Sequence, residues 1–243
     1  MRNTERILLA PAYVLHQRDW QESSRIIEIL SRDHGRLGLV ARGARRPASP
    51  LRALLVPFQP LLLSWNLRGE LGTLTQAEPA GVAVRLGGQG LLAGFYLNEL
   101  LLNFAPRHDP QPEIYAHYAH TLPVIADPLR LEAGLRLFEL RLLETAGYGL
   151  NLERDAQNGR QIEPGMRYRY DLERGPVRAV DAESGALVVG GATLLGLASG
   201  ELHDAEVLRE ARRLLRAALD RQLGGRVLKT REVLRKLVRA GSA

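Results

Sequence analysis

GRLGLVARGARRPASP, residues 35–50, joins an apolar strand pattern directly to a cationic turn. Residues 37–41 carry no charge, whereas three arginines follow in a segment that a glycine and two prolines interrupt. Glycine and proline favour turns, so the arginines are expected in a loop where their charge stays hydrated. Such a loop can bind a phosphate backbone, or it can be a solvated turn without a ligand. The stretch alone leaves both interpretations open.

Strand patterns flank this stretch on both sides. A run rich in isoleucine precedes it across an Asp-His-Gly turn, which predicts a hairpin. Another strand pair is predicted further along the chain, on either side of a turn with Gly69. The five predicted strands cover residues 12–17, 24–31, 37–41, 58–65 and 71–77. Five short strands within about 75 residues are typical of the oligonucleotide-binding (OB) barrel.

From about residue 80 the hydrophobic period becomes that of amphipathic helices. Residues 151–190 lack this pattern and hold short strand candidates at 168–170 and 186–189. Helices are predicted, from period and end signals, at residues 89–105, 112–126, 129–147, 204–223 and 230–239. The sequence therefore predicts an α+β protein of two domains. An OB-type barrel covers residues 1–80, and a mainly helical domain covers residues 81–243, with an irregular insert near 151–190.

Positive charge is concentrated at the two ends of the chain. The net charge of the 243 residues is +6. Residues 1–80 hold 11 arginines against 7 acidic residues, and residues 225–243 hold 6 basic residues against 1 acidic residue. The stretch between them, residues 81–224, holds 16 basic and 19 acidic residues. This distribution favours a polyanionic partner that both ends bind, provided that the fold brings them together.

Composition excludes several kinds of site. Without cysteine, the chain has no disulfide, cysteine nucleophile or thiolate metal site. The first residues are polar, and no apolar run reaches the ~18 residues that span a bilayer, which predicts a cytoplasmic protein. Neither a Walker loop nor a nucleophile elbow is present. We therefore expect a binding protein without a cofactor rather than an enzyme.

One metal site is compatible with helical spacing. Glu113, His117 and His120 would share a face of the helix predicted at 112–126, a geometry that can hold zinc in a metal hydrolase. Two histidines on a surface helix are more often solvated than bound to metal. The metal hydrolase is therefore the less favoured alternative.

Two arginines flank apolar residues in the helix predicted at 129–147. Arg136 and Arg141 lie among leucines, and the pattern is mostly that of a core helix. A pair of helices whose apolar groove is rimmed by arginine could also accept the acidic, apolar end of a peptide. The pattern leaves this second role open.

Residues 223–234 combine a Gly-Gly turn with the start of a helix. Thr230 is expected to be the N-cap, which places Arg231 in the first turn. Positive charge at that position opposes the helix dipole, so helix stability does not explain it. An anionic partner would explain it.

Short motifs spread over the whole chain resemble those of the bacterial RecO family of DNA repair proteins. None of them is specific alone, but their order over the full length makes the resemblance specific. They are VLH (14–16), WQESS (20–24), GR (35–36), VARGAR (40–45), PFQPL (57–61), NELL (98–101), FEL (138–140), GYG (147–149), YRY (168–170), LGG (223–225) and LKTRE (228–232).

The resemblance implies an N-terminal OB barrel, a helical domain and a recombination mediator that catalyses no bond chemistry. It implies binding of single- and double-stranded DNA, annealing of complementary strands, and docking of the acidic C-terminal tail of the single-stranded-DNA-binding protein. It further implies that the protein acts with RecR, at the nucleoid, to load RecA. Some relatives carry a four-cysteine zinc module in the region of 151–180. This cysteine-free chain has none, so no role of that zinc is carried over.

Within this function, we assign phosphate contact to basic residues from both ends of the chain: Arg42, Arg45, Arg46, Arg52, Lys229, Arg231 and Arg235. Binding is expected to be independent of base sequence and strongly dependent on salt. Aromatic residues make up only 5% of the chain, so base stacking is expected to contribute little. Arg136 is the first candidate for pairing with the tail carboxylate, and Arg141 is the second. An RNA-binding OB protein is the main alternative, because backbone contact does not by itself distinguish the two sugars.

Overall fold

The structure is a computed structural model that describes residues 5–179 and 185–233. Its internal contacts divide the chain into two compact units. Unit 1 comprises Met1–Ala126 with Leu228–Ala243, and unit 2 comprises Asp127–Val227. The predicted boundary at residue 80 lies in the segment between the last barrel strand and the first long helix. The contacts within the chain assign the two long helices that follow this boundary to the same unit as the barrel.

Five strands of unit 1 form a closed barrel in the order β1-β2-β3-β5-β4. β3 and β5 pair in parallel and the other neighbours pair antiparallel. The strands are β1 (Glu5–Trp20), β2 (Ser24–Ser31), β3 (Gly35–Ala41), β4 (Leu61–Arg68) and β5 (Leu71–Pro79). This order is that of the OB fold, and the predicted fold class is confirmed.

β1 is much longer than the run predicted at 12–17, because one strand closes the barrel. Its first half pairs with β4 and its second half pairs with β2. The register shifts between Ile7 and Ala10 and again between Val14 and His16. Such bulges bend a strand and increase its twist, which lets a single strand curve around two sheet faces. Hydrophobic alternation is lost at each bulge, so the sequence pattern shows only a fragment.

Alternating side chains fill the barrel. Each fully buried aliphatic or aromatic side chain contributes about 1.5–3 kcal/mol relative to exposure. The completely buried members of this core include Val14, Ile27, Ile29, Leu39, Leu61, Leu63 and Trp65. Ala44 also belongs to this core, although it lies in the arginine loop beyond β3. The barrel therefore anchors the loop at one internal point.

Unit 1 also contains helices, one between β3 and β4 and two after β5. Among them, the five-residue α1 was not predicted, whereas the predictions for the next two are confirmed. They are α1 (Pro50–Leu54), α2 (Gly88–Phe104) and α3 (Pro112–Ala126). The buried Asn98 of α2 donates to the carbonyl oxygen of Leu15 at 2.8 Å, and Tyr118 of α3 donates to Asn98 Oδ1 at 2.6 Å. These bonds fix both helices to β1.

Unit 2 combines helices with a small sheet in the order β7-β6-β8. Its elements are α4 (Leu131–Thr145), β6 (Arg167–Asp171), β7 (Gly175–Arg178), β8 (Val188–Gly190), α5 (Gly191–Ser199) and α6 (Ala205–Leu223). The two strand candidates of the 151–190 insert are confirmed. α5 was not predicted, because its nine residues are small or apolar, include no charged side chain and carry no amphipathic period.

Asp155 organises the loop of the insert that precedes β6. Its carboxylate accepts hydrogen bonds from the backbone N–H groups of Gln157, Asn158 and Arg178. Burial alone would raise the pKa of Asp155, but these three bonds outweigh it and hold the pKa below its ordinary value. A charged carboxylate therefore joins this cysteine-free loop to β7.

No helix of the described residues is long and apolar enough to cross a membrane.

Candidate nucleic-acid interface

The arginine loop, residues 42–49, is a chain of tight turns. Gly43 adopts φ +71°, which glycine accommodates without strain, and its carbonyl accepts a hydrogen bond from the Arg46 N–H at 3.1 Å. The Ser49 N–H then bonds to Arg46, and the Arg52 N–H bonds to Ser49. Together with the buried Ala44, these bonds give the loop a defined path. The loop prediction from Gly43 and the prolines is confirmed.

Arg45 ties this loop to the turn between β1 and β2. Its Nη1 donates to the carbonyl oxygen of Gln21 at 2.9 Å, and its backbone N–H donates to Ser23 at 3.0 Å. Its Nε also lies 3.4 Å from Asp19 Oδ2. The charge of Arg45 is thus partly neutralised and its side chain is held by the protein. This geometry gives Arg45 a positioning role in addition to the phosphate contact that we predicted.

Arg42, Arg46 and Arg52 are exposed and make no side-chain hydrogen bond or ion pair with the described residues. Arg42 directly follows β3, Arg46 closes the first turn of the loop, and Arg52 lies on α1. A surface ion pair contributes little to stability, but an unpaired guanidinium retains all of its capacity for a phosphate. These three side chains form the free cationic group of the barrel end.

Trp20 lies at the same end of the barrel and is not among the residues predicted to contact DNA. It is the last residue of β1 and pairs with Ser24 across the hairpin. Its side chain is 40% exposed, and the Arg18 guanidinium lies 5.7 Å from the centre of its ring. A tryptophan directly before a polar turn is a signal that could have marked it.

A second cationic group lies towards the other end of the outer face of β2 and β3. The Glu28 carboxylate bonds to Arg36 at 3.2 Å and also pairs with Arg107, which follows α2. Arg36 further donates to the carbonyl oxygen of Ala105 at 2.8 Å. OB folds bind nucleic acid on the face of strands 2 and 3, and here two arginines against one glutamate leave that face positive. Sequence spacing could not reveal this group, since Arg107 is 79 residues from Glu28.

Residues 228–233, in the basic segment near the end of the chain, belong to unit 1 with the barrel. Residues 229–233 are helical, so the helix begins at Lys229 and the prediction of Thr230 as N-cap is wrong. Glu99 of α2 accepts the backbone N–H groups of Lys229 and Thr230 at 2.7 and 3.0 Å. Arg231 donates to the Tyr96 hydroxyl at 3.3 Å and lies over that ring. Arg235 lies outside the described residues.

The two arginines assigned to the tail occupy different environments on α4. Arg136 is buried, with 7% of its side chain exposed, and its Nη2 donates to Glu139 at 2.7 Å. Arg141 is 44% exposed and pairs with Glu144 at 2.7 Å. A tail carboxylate can reach Arg141 from solvent, whereas contact with Arg136 requires rearrangement around a buried ion pair.

A cleft of about 210 Å³ opens in unit 2 beside the end of α4. Its surface is mixed, more polar than apolar, and one arginine belongs to its lining. The residues that shape it include Leu143, Tyr148, Leu150, Leu172, Ala218 and Arg221. Arg221 pairs with Glu173, and both side chains are exposed. The cleft thus offers apolar contact together with a guanidinium whose present partner is solvated.

The metal alternative finds no geometric support. Glu113, His117 and His120 lie on α3 as predicted. Across residues 5–179 and 185–233, however, no three side chains of histidine or carboxylate type come together as metal ligands would.

Comparison with known proteins gives matches across both units. The family model described as "Recombination protein O N terminal" matches residues 6–82, and "Recombination protein O C terminal" matches residues 87–232. The DNA repair protein RecO of Nitrosococcus oceani is 47% identical over 237 residues, which covers 98% of this chain and 96% of the relative. That of Alkalilimnicola ehrlichii is 49% identical over 241 residues, covering 98% and 95% respectively.

A third relative agrees with the first two. The DNA repair protein RecO of Methylococcus capsulatus is 46% identical over 230 residues, covering 95% of this chain and 94% of the relative. Identity at this level over nearly the full length, joined to a five-stranded OB barrel, leaves one assignment: the chain belongs to the RecO family of DNA repair proteins.

Proposed function

We propose that this protein is a recombination mediator that binds single- and double-stranded DNA and catalyses no bond chemistry. Unit 1 binds the DNA backbone, and the protein anneals complementary strands. It docks the acidic tail of the single-stranded-DNA-binding protein and, with RecR, promotes loading of RecA at the nucleoid. Membership of the RecO family supports the class of function. The further steps rest on the chemistry of the two units.

The observation that carries DNA binding is the free cationic group of Arg42, Arg46 and Arg52. Phosphates would replace solvent around these guanidinium groups without breaking a contact in the protein. Arg45 holds the loop in place, and Lys229 and Arg231 extend the basic surface of unit 1. Each phosphate that a cation neutralises releases counterions, so affinity should fall steeply with salt.

Tail docking is assigned to the cleft of unit 2 and to the arginines around it. Gly149 lines this cleft and lies against Glu144, the partner of Arg141. Ion pairs exposed to solvent are worth about 0–1 kcal/mol, so an incoming carboxylate can replace Glu144 on Arg141 or Glu173 on Arg221. The leucine and alanine side chains of the cleft would contact the apolar side chains of the tail. We therefore favour Arg141 over Arg136 as the residue that binds the tail carboxylate.

The experiment that tests the proposal is annealing of complementary strands coated with the cognate single-stranded-DNA-binding protein. Strands coated with the intact single-stranded-DNA-binding protein are compared with strands coated with a form that lacks its acidic tail. We expect rapid annealing that requires the tail. Annealing that does not depend on the tail would remove the docking step and leave DNA binding in place.

A second arm addresses the RNA-binding alternative. Matched DNA and RNA strands compete for the protein at one salt concentration. Preference for DNA, or equal affinity together with annealing of coated DNA, supports the proposal. Preference for RNA without annealing of coated or naked DNA would overturn it. A variant with Arg42, Arg46 and Arg52 all changed to alanine should bind DNA with a much shallower salt dependence.

A further inference from the structure

A large aromatic side chain is exposed where the barrel would meet DNA. Trp20 ends β1, and 40% of its side chain is accessible to solvent. The second tryptophan of the chain, Trp65, is completely buried in the barrel core. Burial of a tryptophan contributes strongly to stability, so the exposure of Trp20 forgoes a large hydrophobic gain. The core of the barrel does not explain its position.

Trp20 has a cationic neighbour on its own strand. Residues directly opposite each other on paired strands share a face, so Arg18, Ile26 and Val40 form one row across β1, β2 and β3. The guanidinium of Arg18 lies 5.7 Å from the centre of the Trp20 ring, a cation–π distance. A cation therefore lies beside the exposed indole.

Trp20 also borders the arginine loop. The turn that follows it, residues 21–23, is bonded to the loop through the two hydrogen bonds of Arg45 to Gln21 and Ser23. The free guanidinium groups of Arg42 and Arg46 belong to the same loop. A flat aromatic surface beside unpaired cations is the combination by which proteins bind single strands, with cations on the phosphates and rings on the bases.

We propose that Trp20 stacks on an unpaired base of a single DNA strand whose phosphates contact Arg42 and Arg46. This inference rests on the proposed function and adds a preference within it. Bases in a duplex already stack on each other, so Trp20 contributes to single-strand binding and not to duplex binding. A single stacking residue holds the strand in place while most of its bases stay free to pair, as annealing requires.

The first test uses the tryptophan fluorescence of the full chain. Oligothymidylate of about 20 nucleotides should quench the emission of the wild-type protein, because a stacked base quenches indole. Trp20→Phe leaves Trp65 as the only tryptophan, and its buried ring should not respond. Quenching of equal size in Trp20→Phe would overturn the proposal, since the signal would come from the core.

The second test measures affinity for a single strand and for the matched duplex. Trp20→Ala should weaken single-strand binding about 5- to 100-fold and leave duplex binding within twofold. Trp20→Phe should lie between the wild-type protein and the alanine variant. Phe95→Ala is the matched control, an aromatic of α2 with similar exposure (41%), and should change neither affinity.

The outcomes separate this inference from the proposed function. Unchanged affinity of Trp20→Ala for both forms of DNA would overturn stacking and keep backbone binding. Equal loss for both forms would show that Trp20 shapes the loop, or that it touches something other than a base, and would also overturn stacking. Failure of the wild-type protein to bind either form at low salt would overturn the proposed function itself.

Discussion

Glu99 and Thr230, separated by 131 residues, are joined by two hydrogen bonds to one carboxylate oxygen. The Thr230 hydroxyl donates to Glu99 Oε2 at 2.6 Å and its backbone N–H donates at 3.0 Å. Thr230 lies in the first turn of the helix that begins at Lys229, and the sequence predicted an anionic partner at the start of this helix. One such anion is the protein's own carboxylate, which caps the first N–H groups and interacts favourably with the helix dipole.

Removal of this carboxylate should loosen the basic segment. Glu99→Ala deletes the acceptor of three hydrogen bonds, each charge-assisted and worth about 1.5–3 kcal/mol. We expect amide hydrogens of residues 229–233 to exchange about 10- to 100-fold faster, with little change in the barrel. Hydrogen exchange read by mass spectrometry gives this quantity. Glu113→Ala, an exposed acid on α3, is the control, and equal protection in both variants would refute the anchoring role.

The arginines of the loop should separate into two kinds by their salt dependence. Arg42→Ala removes a free cation, so the slope of log affinity against log salt should fall by about 0.7–0.9 with the fold unchanged. Arg45→Ala removes the bonds to Gln21 and Asp19, so it should lower affinity mainly by disordering residues 42–49. Titrations at four salt concentrations, together with hydrogen exchange of the loop, distinguish the two effects.

Arg160→Ala, in unit 2, serves as the control for the loss of one positive charge. It should leave both the salt slope and the loop unchanged. If Arg45→Ala lowered the slope as Arg42→Ala does and left the loop protected, Arg45 would contact phosphate directly. The positioning role would then be wrong.

Sequence patterns predicted the strands and helices that keep one hydrophobic period. The hairpin of β2 and β3, the helix at residues 112–126 and the Gly43 turn all follow from local chemistry. β1 was recognised only in part, because its two bulges reset the alternation. α5 was missed because a segment of small and apolar residues without charge has no amphipathic period.

The candidate site was predicted less completely, because sequence reveals charge but not pairing. Arg42, Arg45 and Arg46 look alike in the stretch 35–50, yet only Arg45 is held by Asp19 and Gln21. The pairing of Glu28 with Arg107 and the exposure of Trp20 depend on contacts between distant parts of the chain. Tertiary structure alone decides those contacts.

The two arginines of α4 should respond differently to alanine. Arg136→Ala breaks the buried pair with Glu139 and should lower the free energy of unfolding by on the order of 3 kcal/mol. Arg141→Ala breaks an exposed pair, so its stability should change by less than about 1 kcal/mol, while binding of a tail peptide weakens. Urea unfolding and fluorescence anisotropy of a labelled tail peptide give the two quantities. Normal peptide affinity in Arg141→Ala would remove that residue from the docking site.

Gly35 begins β3 where a side chain has no room. It adopts φ +66°, and an added Cβ would lie 2.2 Å from the carbonyl oxygen of Asp109. Gly35→Ala should therefore cost about 2–4 kcal/mol, from backbone strain and displacement of the segment that carries Arg107. Gly69→Ala is the matched control, since Gly69 has φ +78° with open space around it and should lose only about 1 kcal/mol. If urea unfolding gave equal losses of unfolding free energy for the two variants, backbone strain and not the contact with Asp109 would explain the effect of Gly35→Ala.

Glu210 should make the stability of unit 2 depend on pH. Burial alone would raise its pKa, but hydrogen bonds from the Gly190 N–H and the Thr193 hydroxyl, with the charge of Arg167, outweigh it and lower the pKa below 4.5. A lowered pKa in the folded state means that the stabilisation is complete above the ordinary pKa and is lost as pH falls through the folded value.

Glu210→Gln keeps the size of the side chain and removes its charge. The variant should be less stable than the wild-type protein by about 2 kcal/mol at pH 7, with a difference that shrinks as pH falls below about 4. Thermal unfolding between pH 3 and pH 7 measures this difference. Glu206→Gln, an exposed acid on the same helix, should show no comparable trend. A constant difference between Glu210→Gln and the wild-type protein over this range would mean that shape and not charge explains the role of Glu210.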